Sequence, residues 1–198
     1  PYTNFGPAGK VAERKSIADL ETTFLRFANG VRLTVKPTTF KAGEVGVNVR
    51  IGDGYPDLPA GRASPTWIVD GQRLLLLGTK ALTFDDISRA LSGNFIQLKS
   101  QFGADGVALR GHGQPAELDT LMQVLAAYVS APGWRVDGIE RARANEMSDL
   151  ESLASSPMGV LKRDIRCRLS SGDPRLCTPS LADVAETGPD AIKALLAP

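Results

Sequence analysis

Histidine and cysteine are scarce in this sequence, which has one histidine, His112, and two cysteines, Cys167 and Cys177, among 198 residues. A zinc site made of several His and Cys ligands is nearly excluded, because such sites need three or four of these residues. A Ser-His-Asp or Cys-His catalytic arrangement is excluded unless His112 takes part in it. A stand-alone enzyme would need a cluster of catalytic residues that the sequence does not show.

The sequence also lacks an excess of charge of either sign. Lys and Arg total 23 against 22 Asp and Glu, so no basic field favours nucleic acid or an anionic membrane surface. No apolar run approaches the roughly 20 residues of a bilayer-spanning helix. The first residues have no features of a signal peptide and no initiator Met, which suggests a chain cut from something longer. The 42% apolar content suffices for one domain or a tight pair.

The order of hydrophobic patterns predicts an α+β fold. Asn29-Gly30 between two alternating runs predicts a hairpin, and Thr83 with Asp86 resembles a capping box. The predicted strands are 24–27, 31–36, 44–51, 95–102 and 106–110. The predicted helices are 67–77, 84–91, 118–129, 136–154, 158–169, 181–186 and 189–196. Hairpin-linked strands beside segregated helices indicate two layers, a mostly antiparallel sheet with helices packed on one face.

The composition divides the chain near residue 21. Residues 1–21 are mixed and polar, and we interpret them as a connecting arm with one helical turn near Ile17–Leu20. Residues 22–198 hold the strands and helices and form the α+β domain.

Cys167 and Cys177 have a separation compatible with a disulfide, because the loop between them contains turn-forming residues. Such a bridge would contribute roughly 2–3 kcal/mol and would imply an oxidising compartment. Two reduced cysteines near a helix end are the other possibility, and the sequence does not choose between them.

Several other residues are candidates for chemistry. The run from Gly111 to Ala116 matches a dinucleotide-binding pattern only superficially, because no second parallel strand follows, so a strand-to-helix loop is the better interpretation. His112 has no visible partner and fits a surface loop. In the helix 136–154, a solvated face with ion pairs is favoured over a catalytic carboxylate pair. The acidic residues concerned are Glu140, Glu146, Asp149 and Glu151, with Arg141 and Arg143 nearby.

Aromatic residues offer one further candidate. Trp67 and Trp134 lie near predicted helix starts and are interpreted as core or rim residues. The loop Gly52–Ala63, with Tyr55 and Asp57, is the exposed candidate for ligand contact.

The order of the predicted strands and helices, together with several short sequence segments, resembles one half-unit of the pitrilysin/insulinase family of zinc peptidases. The resemblance covers about Phe24 to the end of the chain. The segments are residues 26–33, the strand 45–54 ending in Gly, the segment ending in Leu77-Gly78-Thr79, residues 121–128 before Pro132-Gly133, and residues 171–175 leading to 181–184. The resemblance implies a mitochondrial processing peptidase-like metallohydrolase fold.

Active members of this family carry His-x-x-Glu-His on the helix that ends in the Gly-Thr turn, with a distant Glu as third zinc ligand. Aligned on Gly78-Thr79, the motif falls on residues 69–73, so Val69 and Arg73 replace the histidines and Gln72 replaces the base. The third ligand falls near Asp149–Glu151, where an acidic residue survives. Val cannot bind zinc, Arg repels a cation and neutral Gln cannot deprotonate water. The resemblance therefore implies no catalytic residue, metal ligand or cofactor in this domain, with zinc expected in the catalytic domain of the parent protein.

The family architecture implies a role for such a domain. Two halves close as a clamshell, and the inactive half forms the wall of a peptide chamber opposite the zinc. The arm at residues 1–21 suggests the first unit of the C-terminal half of a long bacterial member. The implied partners are the N-terminal catalytic half of the same chain and a peptide or protein substrate, without nucleic acid or membrane. Substrate-binding residues remain unknown.

Two further expectations follow from the resemblance. Family domains continue into another strand after the helix near Leu196, so we expect a truncated domain whose open sheet edge could self-associate. The cysteine pair and the likeness to exported bacterial members suggest a soluble, periplasmic protein. The alternative is a structural or interaction module of a wholly inactive homologue, which the presence or absence of His-x-x-Glu-His upstream in the full-length chain would distinguish.

Overall fold

The structure is a computed structural model that describes residues 7–60 and 65–196. The chain divides into two compact units, residues 1–44 and 45–198. The first unit holds one three-stranded sheet, and the second holds another three-stranded sheet with all the α-helices of the described residues. Helices and antiparallel strands are segregated along the chain, so the predicted α+β class is confirmed. The sequence suggested one sheet, and the structure has two.

The first unit is an antiparallel sheet in the order β1-β2-β3, formed by β1 (Val11–Ile17), β2 (Thr22–Phe27) and β3 (Arg32–Val35). The predicted Asn29-Gly30 hairpin joins β2 to β3: the amide of Phe27 donates to the carbonyl of Val31 at 2.8 Å. Gly30 has a φ of 88°, a conformation that side chains other than glycine rarely adopt.

Strand β1 lies within the segment interpreted as an arm, and the sequence analysis did not predict it. Its side chains are exposed or half-buried along its whole length, so no apolar alternation marks it as a strand. Backbone pairing with β2 and the Glu13–Arg26 ion pair at 3.1 Å hold it. The predicted turn is present as a short 3-10 helix, Ala18–Leu20. The role of residues 1–21 as a connecting arm stays a prediction, and residues 1–6 lie outside the described chain.

The second unit contains an antiparallel sheet in the order β4-β6-β5. Its strands are β4 (Val45–Ile51), β5 (Gln97–Gly103) and β6 (Gly106–Gly113). The register places Val49, Leu109 and Ser100 side by side on one face, and Asn48, Arg110 and Lys99 on the other. The first face packs against helices and the second is polar and exposed, as expected for a two-layer α+β domain.

Within the described residues, seven α-helices accompany this sheet. Their bounds are α1 Arg73–Leu76, α2 Phe84–Ala90, α3 Leu118–Ser130, α4 Val136–Ala154, α5 Pro157–Leu169, α6 Leu181–Glu186 and α7 Pro189–Leu196. The predicted bounds of α4, α6 and α7 are confirmed, as is the capping box of Thr83 and Asp86 at the start of α2. The amphipathic segments that bury one face are therefore well marked in the sequence.

The helix predicted over Trp67–Leu77 is wrong as a single element. The segment forms a 3-10 helix, Pro65–Ile68, then a turn, then the single turn of α1. Gly71 interrupts it with a φ of 72°, and its carbonyl accepts a hydrogen bond from the amide of Ser100 at 2.8 Å. The chain leaves the helical path here because its backbone bonds the edge of β5 instead.

Two apolar clusters form the interior of the second unit. The first, here the Trp67 cluster, joins the 3-10 helix to α4, α6 and α7. The second, the Leu121 cluster, packs Leu121, Leu125 and Tyr128 of α3 on the sheet and on Leu75 of α1. Three further apolar residues of α3 remain at least 36% exposed: Leu118, Met122 and Val129. No helix in the described ranges is long and apolar enough to cross a bilayer.

Candidate functional site

Of residues 69–73, where the resemblance places the zinc motif, only Arg73 is helical. Val69 is fully buried in the Trp67 cluster. The carboxylate of Asp70 accepts a hydrogen bond from the amide of Phe102 at 3.0 Å. Gln72 is exposed and Arg73 opens α1. The side chains at the two expected histidine positions therefore do not share a helical face, which an inverted zinc motif requires.

Arg73 makes the dominant polar contacts of this region. One guanidinium nitrogen lies 2.6 Å from a carboxylate oxygen of Glu146 and 2.5 Å from one of Asp149, both in α4. The side chains of Arg73 and Glu146 are only 18% and 10% exposed, whereas that of Asp149 is 65% exposed. A single cation thus links α1 to α4 through one buried and one exposed carboxylate, and we name these three residues the Arg73 cluster.

Burial sets the protonation behaviour of the carboxyls here. Desolvation raises the pKa of Glu146, because it outweighs the attraction of Arg73. Desolvation also raises the pKa of Asp70, against the hydrogen bond from Phe102 and the charges of Arg73 and Arg166. Both carboxyls therefore hold protons more readily than exposed acids do, although a cation is close to each.

The residues present do not fit zinc. The position of the second histidine holds a permanent cation, which repels a metal ion and already occupies the acidic side chains that could bind one. Among the described residues, no group of three His, Cys, Asp or Glu side chains is arranged to hold a metal. The arrangement is an internal ion pair that joins two helices.

Two acidic residues of α4 contact Arg73, where the sequence predicted one near Asp149–Glu151 and a solvated face for Glu146. Asp149 does contact Arg73, but Glu146 is buried and does so as well. The missed signal is its spacing with Ile139, Ala142 and Leu150, which puts Glu146 inside the apolar stripe of α4. Arg141 and Asp85 form a solvated pair, as expected, with both side chains at least half exposed. Glu140 pairs with Arg143, but Arg143 is only 19% exposed and also donates to the backbone carbonyls of Val184 and Thr187.

The loop proposed for ligand contact borders a cavity of about 560 Å³. Asp57 and Leu58 line it together with Trp67, Phe102 and Glu186. Tyr55 is not among its lining residues and packs edge-on against Phe102, with ring centroids 4.8 Å apart. The described part of the cavity combines an apolar floor with an acidic rim, so it can accept an apolar side chain. Residues 61–64 of this loop lie outside the described chain.

The remaining candidates are structural. Residues 111–113 belong to strand β6, so the strand-to-helix loop inferred there, with His112 in it, is wrong; the hydrogen-bonded pairing with β4 extends to Gly113. Trp67 is buried and its indole NH donates to the hydroxyl of Thr187 at 3.3 Å. Trp134 is half-buried against the Trp67 cluster.

The two cysteines are bonded to each other in the structure, with their Cα atoms 4.3 Å apart. The bond ties the end of α5 to the loop that contains Asp173 and Arg175. Arg175 contacts the carbonyl of Leu58 at 3.4 Å, and Arg166 lies over the ring of Tyr55 at 4.5 Å. The bridged segment therefore supports the loop that borders the cavity.

No protein-family model and no curated protein matches this sequence. Solved structures of proteases do match. The ferredoxin protease FusC, solved in complex with Arabidopsis ferredoxin, is 18% identical with a TM-score of 0.70, over 96% of this chain and 21% of that chain. The periplasmic protease PqqL from Escherichia coli is 12% identical with a TM-score of 0.71, over the same shares. A peptidase M16 inactive domain from Pseudomonas fluorescens is 12% identical with a TM-score of 0.65, over 93% of this chain and 42% of that chain.

These matches show the fold. The chain has the fold of the units from which these proteases are built, so the fold expected from the pitrilysin/insulinase resemblance is confirmed. One of the matching structures is described as an inactive domain. The chain spans about a fifth of the length of the first two proteases, at 21% of each.

Proposed function

We propose that this chain is a noncatalytic domain of a zinc metallopeptidase of the pitrilysin/insulinase family. It forms part of a peptide-enclosing chamber, opposite the domain that holds zinc. The observation that carries the proposal is the Arg73 cluster: a guanidinium paired with Glu146 and Asp149 stands where an active unit needs a histidine and its acidic partner. A domain in which this ion pair replaces the zinc ligands keeps the protease fold but does not bind the zinc that peptide hydrolysis requires.

The two layers of the second unit support the role of a wall. The helices pack on one face of its sheet, and the other face presents polar side chains that are exposed. An extended peptide can lie across such a face and form hydrogen bonds with its polar side chains. The partners in this proposal are the N-terminal catalytic half of the same parent chain and the enclosed peptide or protein substrate. Zinc belongs to that half, and the compartment is the periplasm, which fits the bonded cysteines.

The first test measures metal and activity together. The purified chain is dialysed against zinc, its metal content is determined, and cleavage of a quenched fluorescent peptide library is followed with and without chelator. We expect no stoichiometric zinc and no cleavage. Bound zinc with chelator-sensitive cleavage would overturn the alignment of residues 69–73 and the proposal with it.

The second test addresses the chamber. A full-length parent that carries a photoreactive peptide substrate is irradiated, and cross-links are mapped by mass spectrometry. Cross-links on the exposed face of the β4-β6-β5 sheet are expected. Cross-links confined to the zinc-bearing half would instead favour the alternative, a structural or interaction module, as would a parent without His-x-x-Glu-His.

A further inference from the structure

The exposed face of the β4-β6-β5 sheet holds two like charges side by side. Lys99 in β5 and Arg110 in β6 are register partners, and both side chains are exposed. Side chains directly opposite each other on an antiparallel sheet have Cβ atoms about 5 Å apart, and like charges at that distance destabilise the pair. The fold therefore places two cations at neighbouring positions at the centre of this face.

The three strands provide no acid that would neutralise these cations. The residues on this face are glycine, alanine, amides, cations and one histidine: 46, 48 and 50 in β4, 97, 99 and 101 in β5, and 108, 110 and 112 in β6. Arg50 pairs with Asp105 at the turn that follows β5. Within residues 7–60 and 65–196, neither Lys99 nor Arg110 makes an ion pair.

We propose that this face binds the carboxylates of an acidic, extended segment of a peptide or protein, and that Lys99 and Arg110 are the residues that select it. Such a segment would supply the missing negative charge, and the neighbouring amides of Asn48, Gln97 and Gln101 can bond its backbone. The inference rests on the proposed function, because it names the chemistry of the peptide that the wall receives. A nucleic acid fits less well, since the chain's net charge is only +1.

The test uses three labelled probes on the chain itself: a peptide of alternating Glu and Ser, the same peptide with Lys for Glu, and an oligothymidylate. Binding is followed by fluorescence anisotropy over a range of salt concentrations. The Glu peptide should bind at least tenfold more tightly than the Lys peptide, and its affinity should fall as salt rises. Equal affinity for the two peptides, or tighter binding of the oligothymidylate, would overturn the proposal.

Variants locate the binding. K99Q/R110Q should weaken the Glu peptide by roughly tenfold, as expected for the loss of two exposed charge contacts. Lys80→Gln removes an exposed cation outside the sheet and should leave the affinity unchanged. Unchanged affinity in the double variant would exclude this face.

A stability measurement separates a binding role from a structural one. Removing two adjacent like charges should raise the midpoint of urea unfolding slightly in K99Q/R110Q, while peptide binding is lost. A lower midpoint would show that these side chains support the fold, and would contradict the proposal. These readouts do not depend on metal content or cleavage, so their failure would leave the noncatalytic assignment standing.

Discussion

Arg73 and Leu75 are two residues apart in α1, yet their side chains enter different kinds of interior. Arg73 is held by two carboxylates of α4, and one of its nitrogens, Nε, is buried without a hydrogen-bond partner in the described structure. Leu75 enters the Leu121 cluster, where the main polar contact is the phenol of Tyr128 donating to the Leu75 carbonyl at 2.9 Å. An apolar core tolerates substitutions that conserve side-chain volume, whereas removing one partner of a buried ion pair leaves the other charge buried and unpaired.

The largest expected effect comes from breaking the Arg73 cluster on one side. Arg73→Met leaves Glu146 buried without its cation, and this should cost about 3–5 kcal/mol in the free energy of unfolding. Urea unfolding at pH 7 measures it, with Lys80→Met as the exposed control.

Removing both charges should recover most of this loss. In Arg73→Met/Glu146→Leu no buried charge is left alone, and apolar replacements of buried pairs are often neutral or stabilising. A double variant as unstable as Arg73→Met would show that the region depends on the ion pair for its shape.

The Leu121 cluster offers the matching apolar test. Leu121 is fully buried, so Leu121→Ala should destabilise by about 3 kcal/mol through lost burial and a residual cavity. Leu118→Ala, at a position 36% exposed on the same helix, should cost less than about 1 kcal/mol. Equal losses at the two positions would contradict the packing of α3 described above.

A third comparison sets the covalent link of α5 against these noncovalent clusters. Cys167→Ser/Cys177→Ser should lower the free energy of unfolding by about 2–3 kcal/mol, the range expected for a loop of this size. The same shift should appear when the unaltered chain is reduced with a phosphine. If reduction changed nothing, the bridge would not restrict the unfolded chain as this account requires.

The smallest effect concerns pH. Burial raises the pKa of Glu146 in the folded state. The stability gained by protonating Glu146 is therefore fully present below its unfolded-state pKa of 4.5 and is lost as pH rises through the folded-state pKa. The pKa of Asp86 is instead lowered to about 2 by hydrogen bonds from Thr83 and Arg89, so its stabilising contribution is present above its unfolded pKa of 3.8 and is lost as pH falls through about 2. An NMR titration of the carboxyl groups should show Glu146 ionising at a higher pH than Asp86. The reverse order would contradict the burial of Glu146.

The helices show how far sequence patterns carry. The bounds of α4, α6 and α7 follow from apolar spacing, and α6 also begins at the capping residue Ser180; both signals are properties of neighbouring positions in the chain. The Asn29-Gly30 hairpin is equally local. Strand β1 was missed because its sequence has no regular apolar alternation and its side chains are almost all exposed, so only its pairing with β2 makes it a strand.

The candidate site was predictable in part. The absence of zinc ligands at Val69 and Arg73 is a matter of residue identity and needed only an alignment on Gly78-Thr79. That the same segment is broken at Gly71, and that Arg73 is bound by Glu146, depend on contacts with β5 and α4.

The sequence by itself determined which residues stand at the expected zinc-motif positions and which segments are amphipathic, because both are set by side-chain identity and local spacing. The tertiary structure decided which charges are paired, which acid is buried, and which cations remain side by side on an exposed sheet face. Those outcomes join residues such as Arg73 and Asp149, far apart in the chain, and the free energy of a charge depends on the neighbours that folding brings to it.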